Sequence, residues 1–131
     1  MTLDSVRSRM ESVRSVADVE ANASRDPQIV PERLRTMYRS LGPDDRLQAH
    51  SVLMEWLASD DEVLRFDALA LVDDFMIAAS EPALAQLAVR LASSILPGAP
   101  YELKKVNRIR ARLAVPADLV IVSEFPVTGP T

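Results

Sequence analysis

The chain has 131 residues, 48% hydrophobic and 26% charged, with a formal net charge of −4; this composition excludes a disordered polymer, and the length fits one domain with a sizeable core. It contains no cysteine and one histidine, His50, which excludes disulfides, thiolate nucleophiles and cysteine metal sites and leaves no cofactor or metal to expect. Aromatics at 5% and only three glycines are poor material for a β-sandwich, and no stretch reads as a signal peptide or bilayer span, so an all-α cytoplasmic protein is expected.

Proline, glycine and small polar residues divide the sequence into six predicted helices with apolar residues at three- and four-residue spacing. The first covers about Leu3 to Val19, with Leu3, Val6, Met10, Val13 and Ala17 on one stripe, and ends in Asn22–Pro27. The second begins near Pro31, presents Leu34, Met37, Tyr38 and Leu41, and stops at Gly42. The third runs from Pro43 to about Ala58. Ser59 with Glu62 reads as a capping box for the fourth, reinforced by Asp60 and Asp61 at the positive end of the helix dipole. Ser80, Glu81 and Pro82 open the fifth, whose stripe is Leu84, Leu87, Ala88, Leu91 and Ile95; Pro100 opens the sixth, with Leu103, Val106, Ile109 and Leu113.

Alternate helices begin near Leu3, Pro43 and Glu81, a repeat of about 40 residues made of two helices. In the middle pair, Asp61 in the turn, then Leu64, Arg65 and Ala68 on the second helix resemble the run of a HEAT repeat, over residues 43–79. The expected fold is therefore three antiparallel hairpins, stacked as a short HEAT-like right-handed solenoid or as an irregular bundle, over residues 1–114. Residues 115–131 are expected to form an extended C-terminal tail, because Leu119–Val122 is β-prone while Pro116, Pro126 and Pro130 forbid a helix across the segment. It either caps the last hairpin or offers a strand to a partner.

Placed at 100° steps, the fourth helix carries two apolar strips: Leu64, Ala68, Leu71, Val72 and Phe75, and Val63, Phe66, Ala70 and Ile77. Asp67 and Asp74 lie between them. Aspartate is a poor mid-helix residue, so Asp67 is expected to be compensated, with Arg110 or Arg65 pairing with Asp67 or Asp74 as cross-repeat pairs do in HEAT proteins. His50 shares an arc with Leu47, Leu53, Met54 and Leu57 and reads as a core histidine with a backbone-bonded nitrogen, or as a base. No second histidine, nearby carboxylate or G-x-S-x-G serine accompanies it. Trp56, with Val52 and Ala49, is either core or an exposed anchor. Asp60, Asp67 and Asp74 recur every seven residues, which separates successive carboxylates by about 10 Å, too far for a retaining pair.

Charge is unevenly shared: residues 1–43 carry a net +1, residues 44–81 a net −8 and residues 82–131 a net +3. With no catalytic set visible, a non-catalytic protein-binding module is expected, using Asp60, Asp61, Asp73, Asp74 and Trp56 against a basic protein partner. In size, charge and lack of chemistry the chain resembles the small acidic immunity proteins with which bacteria neutralise a cognate toxin. The alternative is nucleic-acid binding through the basic face of the sixth helix, Lys104, Lys105, Arg108 and Arg112. The net negative charge opposes it.

Overall fold

Thr2 starts the first helix, α1 (Leu3–Ser24): its hydroxyl accepts from the Ser5 amide at 3.1 Å, which satisfies one of the orphan donors of the first turn. In the computed structural model, which describes residues 2–114, five further helices follow, with no strand among the described residues. These are α2 (Ile29–Ser40), α3 (Pro43–Leu57), α4 (Glu62–Phe75), α5 (Glu81–Ala92) and α6 (Ala99–Leu113), with a 3-10 turn at Ala78–Ser80 before α5. The tail expected at 115–131 lies outside the described residues.

Three boundaries differ from expectation. Helix α1 continues to Ser24 because nothing before Pro27 stops it; Arg25, in the left-handed region at φ 57°, closes it by donating its backbone N–H to the Ala21 carbonyl. The cap of α4 is Asp61, not Ser59. Its Oδ1 accepts from the Val63 and Leu64 amides at 2.9 and 3.3 Å, and Ser59 Oγ accepts instead from the Asp61 amide. A carboxylate carries a full charge to the positive end of the dipole, which a hydroxyl cannot. Helix α5 stops at Ala92, so Ile95 falls off the predicted stripe and is 97% exposed. Ser93 and Ser94 turn their hydroxyls onto the backbone there, Ser93 towards the Val89 carbonyl and Ser94 towards the Leu96 amide.

Helices adjacent in the chain pack on each other: α1 on α2, α3 on α4, α5 on α6. Alternate helices are also neighbours, α3 lying against α1 and α5, and α4 against α2 and α6. Buried Met10, Leu34, Leu53, Leu69, Leu71 and Leu84 fill the space between them. Helix α3 buries parts of both strips read from its sequence. Its core face is Ala49, Val52, Leu53, Trp56 and Leu57, while Leu47 is exposed. Leu47 falls outside the buried face because α3 packs against α1, α4 and α5, and the arc facing all three wins over the longest run of large side chains.

Candidate functional site

The acidic surface expected on the middle of the chain is largely matched from within. Asp74 of α4 accepts from Arg35 of α2, and Asp73 accepts from Arg112 of α6, with Arg108 at 3.5 Å. Asp61 is engaged as a helix cap. Asp60 is fully exposed and meets Arg90 of α5 at 3.2 Å. Trp56 is only 4% exposed, so it is core and not a surface anchor. The −8 middle segment and the positive segments on either side are thus complementary halves of one internal charge pattern.

Asp67 and Arg65 are buried and paired, but not as predicted. Asp67 Oδ2 accepts from Arg14 Nε of α1 at 2.7 Å, and burial pushes its carboxyl up more strongly than the Arg14 hydrogen bond pulls it down. Arg65 donates Nε and Nη2 to Glu102 of α6 at 2.7 and 2.8 Å, and Nη1 to the Ser59 carbonyl at 3.0 Å. The hydrogen bonds to Glu102 hold the guanidinium above its ordinary value against the cost of burial. Arg110, the other cation expected on an α4 aspartate, pairs with Glu81 of α5 instead. Cross-helix pairing is present; its partners depend on which turns of neighbouring helices come level, which a helical wheel does not contain. No buried side-chain polar atom among the described residues lacks a hydrogen bond.

His50 bonds a side chain, not the backbone. Its Nε2 lies 2.7 Å from the Tyr38 hydroxyl; Tyr38 also stacks on Phe75 at 4.3 Å and carries the Arg46 guanidinium 5.0 Å above its ring. Burial, then the Arg46 charge, lower the imidazole's pKa, and burial raises that of the Tyr38 phenol. A neutral imidazole accepting from the phenol satisfies both tendencies. A histidine whose folded pKa is depressed binds fewer protons folded than unfolded once pH drops through the unfolded value of about 6.5. The His50 contribution to stability is therefore complete above that value and declines as pH falls below it. Melting temperatures of the wild-type protein and a His50→Gln variant, compared from pH 7.5 to pH 5, should show a steeper acid loss in the wild type. Parallel curves would mean that the unfolded and folded imidazoles titrate alike. Among the described residues, no group of three or more His, Asp or Glu side chains could hold a metal ion.

What the sequence did not mark is a groove between α4 and α6. Val63 and Phe66 of α4 and Tyr101 of α6 are 58%, 43% and 81% exposed, over a floor of buried Leu69. They enclose about 400 Å³ together with Glu62 and Lys105. Lys105 holds its Nζ 4.2 Å from the Phe66 ring centroid, a cation–π contact. Its ammonium is disfavoured by burial and next by Arg108. Towards α1, Val63 and Phe66 also wall a second recess with Asp18, Ala21 and Arg25, so the two side chains form an apolar ridge between hollows. The second strip on α4, which packing alone would have filled, is the signal that could have found this site: no helix covers it at Val63 and Phe66. Of the basic residues expected on α6, Lys105 belongs to the groove and Lys104 and Arg108 line the adjoining hollow with Tyr101, while Arg112 is engaged by Asp73.

The chain matches no family model, no curated protein and no solved structure. Among the described residues no helix is long and apolar enough to cross a membrane.

Proposed function

We propose that the chain is a non-catalytic protein-binding module, built as three stacked hairpins in a HEAT-like array, with the α4–α6 groove as its recognition surface. The packing pattern supports the array: α1, α3 and α5 are neighbours in one row and α2, α4 and α6 in another, while each hairpin links the rows. A stack of this kind leaves one row of helices open to a partner. The observation that carries the binding role is the exposed apolar ridge of Val63 and Phe66 facing Tyr101, since aromatic side chains grouped over a hollow are what interfaces use as anchors.

Affinity capture from the source cells with the wild-type chain and with Phe66→Asp as baits tests it. Phe66→Asp is expected to reduce recovery of a specific protein partner by about tenfold or more, the loss of one central anchor. Equal recovery with both baits counts against the groove. The exposed Asp60 and Glu62 favour a second form of the reading, in which a basic toxin-like partner is held on that corner. Recovery that survives Phe66→Asp and is lost on Asp60→Lys with Glu62→Lys would select it.

A further inference from the structure

We propose that the α4–α6 groove takes a protein segment in which an apolar side chain stands beside carboxylates, the apolar group resting between Phe66 and Tyr101 and the carboxylates meeting Lys104, Lys105 and Arg108. This rests on the reading of the chain as a protein-binding module and adds the chemistry of the partner.

The charge around the groove has a direction. Glu62, in the first turn of α4, stands at one end, and Glu102 beside it is already bound by Arg65. A carboxylate arriving there meets repulsion. Further along α6 the hollow adjoining the groove is lined by Tyr101, Lys104, Lys105 and Arg108 alone, one aromatic and three cations. Among the described residues neither lysine makes an ion pair. Arg108 has only the 3.5 Å approach to Asp73, which already accepts from Arg112. The two lysines contrast with Arg7, Arg14, Arg35, Arg65, Arg90 and Arg110, each of which meets a carboxylate on the same chain. Positive charge that the fold leaves unmatched beside an exposed apolar groove fits a ligand with the opposite charge next to an apolar anchor. Lys105 adds to this: burial and Arg108 work against its charge more strongly than Asp73 and Glu102 support it, and a further carboxylate in contact would favour it.

A displayed library of random peptides, selected on the intact purified chain, is the probe. Enriched peptides are expected to place Leu, Phe or Trp beside two or more Asp or Glu. Their affinity should fall about tenfold or more in Phe66→Asp and in the Lys104→Glu, Lys105→Glu double variant, and should weaken as salt rises from about 50 to 500 mM. Unchanged circular dichroism spectra establish that these substitutions leave the fold intact. Peptides that depend on Phe66 but are indifferent to the lysine substitutions and to salt overturn the acidic class and leave the groove as the binding surface. Peptides indifferent to both variants, or the absence of any selectable peptide, overturn both readings. A dimer in sedimentation equilibrium that Phe66→Asp disperses would assign the groove to a second copy of the chain. A single-stranded oligonucleotide bound through Lys104 and Lys105 without Phe66 would assign the cations to phosphates. Either result overturns the proposal.

Discussion

Replacing Glu102 by alanine is expected to destabilise the fold by about 3–5 kcal/mol, the loss found when one partner of a buried ion pair is removed. The side chains of Arg65 and Glu102 are 8% and 11% exposed, and they meet through two parallel hydrogen bonds. Without Glu102, the Arg65 guanidinium keeps the Ser59 carbonyl as its one hydrogen-bond partner, with Glu62 and Asp60 acting on its charge without a hydrogen bond, and a largely buried positive charge loses its direct counter-ion. The pair itself need contribute little: the cost lies in stranding the survivor. Urea denaturation followed by circular dichroism checks this, and a Glu102→Leu, Arg65→Met double variant separates the two effects. The double variant should recover most of the single variant's loss. A loss below about 1 kcal/mol for Glu102→Ala, the range of an exposed pair, would show that water reaches the guanidinium. Asp67→Ala breaks a comparable contact with a softer outcome, because the side chain of its partner Arg14 is 24% exposed and can turn outward.

That contrast marks where the sequence stops being informative. Helix positions are local matters. Pro31, Pro43, Pro82 and Pro100 sit within the first turns of their helices, and Asp61 caps α4 through its own side chain, so six helices can be read from spacing and punctuation. Partners are not local. That Asp67 would meet Arg14 rather than Arg65 or Arg110 depends on the relative height of α1, α4 and α6, set by packing of many apolar side chains and by no single residue. The uneven charge along the chain also explains the acidic face. An acidic middle flanked by basic ends is also the pattern of a central helix that ties itself to both neighbours, as Asp73 does to α6 and Asp74 to α2. The groove was hidden for a related reason: a second apolar strip on α4 implies a covering neighbour, and only the three-dimensional arrangement shows that Val63 and Phe66 have none.

Trp56→Ala should cost about 3–5 kcal/mol, the range for deleting a buried large aromatic. Trp56 shares the inner arc of α3 with Ala49 and Val52, both fully buried. Alanine at 56 would open a void in a helix face packed against α1, α4 and α5. Trp56→Phe retains much of the volume and is expected to lose less. Because Trp56 is the single tryptophan, its fluorescence reports on the same burial. In the native wild-type protein its emission should be blue-shifted and resist quenching by iodide, and it should shift to the red with the same urea midpoint as the loss of helix. Ready quenching in the native state, together with a loss below about 1 kcal/mol in Trp56→Ala, would place the indole on the surface and reopen it as an anchor for a partner. Native protection with the full loss assigns it to the core. Both measurements use the intact chain, so they test the packing of α3 independently of any ligand.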